Sequence, residues 1–460
     1  MKNINKMQLK NYSIILIIYI IAKIHYKISK YNLSIKNKLN YQLDSQFFCL
    51  DKLKHKIKIG IYDNGLKNGG RERSTSLWLN YFNRLNNIFD IYLITRRKKE
   101  TNEFKISKNI RRLIVKNNDV NNLIIIIKKK KIEILIYQFA NAREINLLNK
   151  LKNIKVIYYL HTCFFYWVYS NYSFFISVYK ALKNSNFIIS LVHLENDFLF
   201  IKWGIESIIM NNFLSFNYNS VIPSKLSYKN IIMIGRADDK LKRFYLGFHS
   251  MEYIKREIPE AQMLVVSNIS LINEIKYLRN NLELNKAIKF VEYISIPEIY
   301  FNNVSLHIFP TVSESFGLVL GETKIYGIPN ILIGLDYVSI VKGGTKIIYD
   351  EQPESLAKEA IKILSNNIYK KKMSKDSRKS MKRFNNEILL KKWIKLILAV
   401  FNGKYYYMKF RIQDKKLSEK YIIKILENQI NLLKKRNKKF KNITEIEFQN
   451  FSFITNFIEF

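Results

Sequence analysis

Cysteine is close to absent from this chain: Cys49 and Cys163 are the only two in 460 residues. Two distant thiols give neither a disulfide framework nor a zinc-ligand spacing, which fits a reducing compartment. The six histidines are scattered without metal-ligand spacing. Acidic residues are also few, 37 against 77 lysines and arginines, for a formal net charge of +40. That excess favours an acidic partner such as an anionic membrane surface or a phosphorylated substrate. Lys, Asn, Ile and Tyr are abundant everywhere, however, as an AT-biased coding sequence gives without selection for binding. The N-terminal apolar run Ser13–Ile24 is broken by Lys23 and falls well short of the roughly 20 residues a bilayer-crossing helix needs. No small-x-small cleavage site follows it, so a signal-anchor and an interfacial helix are its two membrane readings. A GxGxxG fingerprint, a P-loop, a zinc motif and an internal repeat are all missing. The basic C-terminal stretch carries no groove-reading motif, so nucleic acid is not an expected partner.

What is present is material for large cores. Hydrophobic residues make up 48% and aromatics 14%, and a chain of this length suits two domains with extensions. Residues 1–55 read as a basic and apolar lead-in. From Lys56 short apolar runs alternate with amphipathic stretches. KIKIGIYD, IYLIT, IEILIY, VIYYL, FIISL and IESIIM (Ile205–Met210) are strand-like, and a helix is expected from Arg71 to about Leu85. After a polar stretch near 215–228 the pattern restarts with NIIMIG, QMLVVS, AIKFV, LHIFP, NILIG and TKIIYD, closed by the helix PESLAKEAIKIL. Runs of this kind predict an α/β protein with two facing, Rossmann-like, doubly wound parallel sheets. The expected divisions are 56–215, 216–385, and a C-terminal helix with a basic extension over 386–460. Ligands of such sheets bind beyond the carboxyl ends of the strands, here in a cleft between domains.

Four groups of residues fall at those strand ends. Gly69 and Gly70, with Arg71, follow the first strand and open a helix, where backbone approaches a phosphate closely and the helix dipole favours the charge. A simple turn explains the glycines equally well. His161 and Thr162 end the strand Val156–Leu160, and a polar pair there is expected to point into the cleft; a structural histidine is the commoner fate. Gly235 and Arg236 end the first strand of the second half, with Lys240, Lys242 and Arg243 behind, a set suited to neutralising a diphosphate. The fourth group lies in FPTVSESFGLVLGETKIYGIPN (Phe309–Asn330), read as a strand end, a loop, and a helix opening at Ser315-Phe316-Gly317. It holds Glu314 in the loop and Glu322 about two turns into the helix. Two solvated glutamates on an exposed helix are the plainer explanation of that pair alone.

The order of these groups resembles the glycosyltransferases of group 1 (family 4), of the GT-B fold. IIMIGRADDKLKRF resembles the family's Gly-Arg…Lys segment and the 309–330 stretch its E-x7-E segment; IGIYDNGLKNGGRERS and YYLHT match more loosely. Coverage runs from about Lys56 to Phe401. The resemblance implies a retaining transferase, without a metal cofactor, that moves a sugar from a nucleoside diphosphate, a UDP- or GDP-sugar, to an acceptor. It implies that Arg236 and Lys242 bind the diphosphate, with Lys240 competing for that role. Glu314 and the amides of Ser315, Phe316, Gly317 and Leu318 would hold sugar hydroxyls and phosphate. Glu322 would hold the ribose, Gly70 would approach phosphate, and His161 would contact the donor sugar. Thr323 stands where the family usually has Ala, a difference of packing. The basic surface, the N-terminal run and CFFYWVY (Cys163–Tyr169) suggest a glycan or lipid-linked acceptor at the inner membrane face, in cell-surface polysaccharide or glycolipid synthesis, though a core segment is the simpler explanation of CFFYWVY. A catalytically inert scaffold of this fold, or a sugar-nucleotide-binding protein, is the second reading.

Overall fold

The computed structural model describes residues 55–403, apart from 68, 164–171, 237–238, 268–278, 281, 293–297 and 336. The N-terminal lead-in, most of CFFYWVY and the extension from 404 onward lie outside the described residues. The strands are β1 (Ile57–Asp63), β2 (Phe89–Thr95), β3 (Arg111–Ile114), β4 (Ile134–Tyr137), β5 (Lys155–Tyr159), β6 (Phe187–Ser190) and β7 (Ile208–Ile209) in the first half. In the second half they are β8 (Asn230–Ile234), β9 (Gln262–Ser267), β10 (Ile288–Glu292), β11 (Leu306–Phe309), β12 (Asn330–Ile333) and β13 (Thr345–Ile348). Every pairing is parallel. The first sheet runs β3-β2-β1-β4-β5-β6-β7 and the second β10-β9-β8-β11-β12-β13. In both, the order reverses beside the strand that opens the domain, and that reversal leaves a crevice where the neighbouring connections part to opposite faces.

Central strands such as β4 and β12 are buried at every residue, so both faces of each sheet are covered and the strand sequence needs no alternation. Expected and observed strands differ at the edges. IESIIM contracts to the two residues of β7, and the exposed edge strand β3, with two arginines, was not foreseen in the sequence. An edge strand needs one partner and little burial, so its apolar signal is weak.

The helix expected to open at Ser315 starts three residues later, as Leu318–Ile325, with Gly317 as its N-cap at φ +79°. Only glycine takes that left-handed geometry without strain. Glu322 is therefore just over one turn into the helix rather than two. The basic helix Asn367–Met381 was not singled out either; its polar composition hides a narrow buried stripe through Lys370, Met373, Ser377 and Met381.

One apolar core runs continuously through both domains. It joins Trp78, Leu79 and Phe82 of the helix Gly70–Asn83 to Phe213 and Leu214 of the junction, to Phe316 and Ile340, and to Trp393. Trp393 belongs to the helix Asn386–Phe401, follows the second domain in sequence, and packs on the first. Its ring lies 5.7 Å from that of Trp78 and 5.4 Å from that of Tyr159. Asn386 at the start of this helix accepts from the Leu214 amide at 2.9 Å and donates to Tyr81 Oη at 2.6 Å.

Candidate active site

β8 and β11 are neighbours at the centre of the second sheet, on either side of its switch point. β8 ends into Gly235 and Arg236. β11 ends at Phe309, and residues 310–317 lead to the helix Leu318–Ile325. The short helix Asp239–Lys242 folds Lys242 back over the strand end. Its methylene stem lies 3.4 Å from where a side chain on Gly235 would start, and its ammonium 5.2 Å from the Phe309 ring centre. The same ammonium is ion-paired with Glu314. Three residues foreseen from sequence, Gly235, Lys242 and Glu314, thus meet in one place. Arg236 is exposed at the strand end. Lys240 lies in the same short helix, its side chain outside the described residues.

The loop that carries Glu314 is braced by a residue given no separate role in the sequence reading. Arg243, buried and at φ +48°, donates to the carbonyls of Pro310 at 2.5 Å and Thr311 at 3.3 Å and pairs with Glu351 at 2.8 Å. The Val312 amide bonds Leu241 O at 2.9 Å. Ser315 donates to the His161 carbonyl at 2.7 Å, tying this loop to the first domain. Phe316 is buried against Phe384, so only its backbone is available to a ligand. The amides that open the helix at Leu318 have no intrahelical carbonyl to meet, as at every helix start.

Glu322 is not a solvated glutamate. It is 1% exposed and ion-paired with Arg73, which comes from the helix Gly70–Asn83 of the first domain. Ser215, at the junction, accepts from Arg73 at 2.6 Å and is a further favourable partner of the carboxylate. Burial pushes the Glu322 carboxyl upward in pKa, and Arg73 and Ser215 oppose that push. Thr323 beside it does more than fill space: its hydroxyl donates to Asn330 Oδ1 at 2.9 Å, in a buried cluster with His307.

In the first domain, Gly69 caps the helix Gly70–Asn83 in extended geometry. Its missing side chain leaves room for the Glu72 carboxylate, which folds back over it; Gly70 is open on that side. Arg71 bridges Glu72 at 2.7 Å and the fully buried Asp63 at 3.1 Å. Burial raises the Asp63 carboxyl to about 6, against the pull of Arg71 and a 2.8 Å bond from Thr75. The His161 ring lies against Tyr159, with ring centres 3.9 Å apart and the planes tilted by 46°. Burial, with the charge of Arg71 adding, holds its imidazole well below the ordinary value and hence neutral at pH 7. Its Nε2 has no hydrogen-bond partner. The ring lines a cavity of about 10 Å³ with Ser74, Thr75, Gln138 and Tyr159, room for about one water.

Arg73, Ser215 and Asp63 are the site residues that sequence reasoning missed, and Arg243, expected within the diphosphate set, is buried as a brace of the loop instead. A signal existed for the first: in GRERSTS a run of small polar residues replaces the expected apolar stripe, and Arg73, Ser74, Thr75 and Ser76 are all buried.

The two parallel-sheet domains have the GT-B fold, and solved glycosyltransferase structures share it. The chain superposes on the sucrose-phosphate synthase of Thermosynechococcus elongatus with a TM-score of 0.64 at 15% identity, over 76% of this chain and 100% of that one. With Anabaena HepE in complex with UDP and glucose the values are 0.61, 12%, 74% and 99%. With the lipopolysaccharide outer core galactosyltransferase WaaB they are 0.58, 15%, 75% and 99%. At these identities the likeness is one of fold. No curated protein matches the chain in sequence. Residues 217–380 match the family model of the glycosyl transferases group 1, which covers the second domain with its Gly235–Lys242 and Glu314–Glu322 segments. The likeness in sequence to the group 1 glycosyltransferases thus lies in the second domain.

Proposed function

We propose that the chain is a retaining transferase that moves a hexosyl unit from a UDP- or GDP-sugar to a glycan or lipid-linked acceptor, in cell-surface polysaccharide or glycolipid synthesis. The observation that carries this reading is the meeting of Gly235, Lys242 and Glu314 at the ends of β8 and β11. A diphosphate lying over Gly235 is met by Lys242 and Arg236, while Glu314 and the amides from Ser315 to Leu318 face the sugar. UDP and glucose bound to Anabaena HepE, a protein of the same fold, support the donor class. The galactosyltransferase WaaB, named for the lipopolysaccharide outer core, supports a glycan acceptor.

In this scheme the bond from the sugar's anomeric carbon to the diphosphate oxygen breaks as Arg236 and Lys242 take up the negative charge that develops there. The acceptor hydroxyl attacks from the same face and hands its proton to the departing phosphate, so configuration is retained. Positioning and electrostatic stabilisation do the catalytic work. The charge of the diphosphate is met by side chains and amides, so transfer proceeds without a metal. The excess of basic residues fits a protein held peripherally at an anionic inner membrane face. Among the described residues no helix is long and apolar enough to cross a membrane.

Thermal unfolding against UDP, GDP, ADP and their sugar conjugates tests the donor site, because a ligand that binds only the folded state raises the melting temperature. One base is expected to give a shift that is lost in Glu322→Ala. Transfer from that donor is expected to survive EDTA, to give a product of retained anomeric configuration, and to fall at least about a hundredfold in Arg236→Ala. Full activity in Arg236→Ala, or the absence of any nucleotide shift in folded protein, would overturn the reading in favour of an inert scaffold.

A further inference from the structure

The carboxylate assigned to the donor's ribose is already occupied by a cation from the other domain. Glu322 is ion-paired with Arg73, and Ser215, which accepts from Arg73 at 2.6 Å, adds a further favourable interaction. A ribose 2′,3′-diol brings two donors of its own, and at 1% exposure the carboxylate has no open side from which to receive them while Arg73 is in place. One resident partner has to leave. Ser215 belongs to the interdomain junction, whose neighbours Phe213, Leu214 and Phe216 are buried in the common core and hold it in place. Arg73 comes from the other domain and is the one partner that moves away when the domains part.

We propose that Arg73 is an interdomain latch that competes with the donor nucleoside for Glu322. In the unliganded protein its guanidinium stands in for the ribose and keeps the buried carboxylate compensated, since a buried charge without a partner is strongly unfavourable. Nucleotide entry exchanges one set of donors for the other and releases the tie between the helix Gly70–Asn83 and the helix Leu318–Ile325. Donor binding and the relative position of the two domains are thereby coupled through one ion pair. Arg73 is a positioning residue in this scheme; it touches the carboxylate and leaves the substrate to Glu322.

This proposal rests on the donor-site reading, and the test separates the two. Affinities for UDP, GDP and ADP are measured by calorimetry for the wild type and for Arg73→Met, with circular dichroism as a check on folding. The variant is expected to bind the preferred nucleotide at least about tenfold more tightly, a gain of about 1.4 kcal/mol. With the 2′,3′-dideoxy nucleotide that gain is expected to vanish, which a merely structural role for Arg73 would not produce. A wild type that binds nucleotide while Arg73→Met binds equally or more weakly, or a gain that persists with the dideoxy analogue, overturns the latch and leaves the donor site standing. Failure of both proteins to bind any of the three nucleotides overturns the donor reading itself. If Arg73→Met does not fold, hydrogen exchange of the wild type decides. Saturating nucleotide is expected to speed exchange over residues 70–76 and 212–216, and unchanged or slower exchange there sinks the latch.

Discussion

Two buried histidines set how stability responds to acid. His307 is fully buried in β11, and its Nδ1 meets Asn330 Oδ1 at 2.7 Å. Burial is the main cause that lowers its pKa to about 4, with the charge of Lys242 adding and the Asn330 bond opposing. A base whose folded pKa lies below its unfolded one stays neutral in the native protein while the unfolded chain takes up a proton. Its contribution is complete above the unfolded value of 6.5 and is lost as pH falls toward 4. His161, lowered by the same cause, acts in the same direction. Asp63 acts oppositely: raised to about 6 from 3.8, it favours the native state as pH falls through that window. The net acid limb is a difference between these groups, so a single histidine is best isolated by comparison. The stability advantage of the wild type over His307→Gln is expected to shrink by about 3 kcal/mol between pH 7 and pH 4, read from urea unfolding at each pH. An advantage that stays constant over that range would show that His307 already takes a proton in the native state.

At the scale of elements, close approach decides which glycines can change. A side chain on Gly321, one residue before Glu322, would begin 2.6 Å from Ile340 Cδ1 and 2.7 Å from Leu214 Cδ2. Both are ends of flexible side chains, so Gly321→Ala is expected to cost about 1–3 kcal/mol through overpacking. It should also lower donor affinity, because the helix that carries Glu322 is pushed off the junction. Gly344 is different. At φ +63° its added carbon would press on the Met373 carbonyl and the Ser377 amide, both backbone atoms of the helix Asn367–Met381. Backbone cannot yield as a side-chain tip does, and the left-handed conformation alone costs about 1–2 kcal/mol. Gly344→Ala is therefore expected to destabilise by more than about 3 kcal/mol in chemical denaturation, and a loss no larger than that of Gly321→Ala would contradict the packing described.

For the whole molecule, the helix Asn386–Phe401 makes the first domain dependent on residues that follow the second. Trp393 is fully buried against Trp78, Phe82 and Tyr159. Removing so large a buried ring leaves a cavity, and Trp393→Ala is expected to cost about 3–5 kcal/mol. Because the loss falls on the first domain, calorimetry is expected to split one unfolding transition into two, the second domain melting near its original temperature. A single transition shifted as a whole would mean that the shared core, rather than this helix, couples the domains.

Much of the architecture was written in the sequence because its cause is local and repetitive. Unbroken apolar runs such as ILIY and NILI have to be strands covered on both faces, and their alternation with amphipathic stretches requires parallel sheets. Gly235, Lys242 and Glu314 were legible for the same reason, since a strand end fixes where its next residues go. Edge strand β3, the late start of the helix at Leu318, and the polar helix Asn367–Met381 were not, because each depends on a partner distant in the chain.

The polar run around Arg73 marks that helix as unusual, but its pairing with Glu322 could not be read. Residues 73, 215 and 322 are far apart in sequence, and nothing local to any of them says that a guanidinium, a hydroxyl and a carboxylate will share one dry site. The sequence by itself determined the two sheets, their order of elements and the chemical groups at the strand ends, because backbone hydrogen bonding and apolar periodicity act over a few residues. The tertiary structure alone decided which of those groups face a ligand and which face each other. That choice depends on burial and charge compensation between elements that only packing brings within reach.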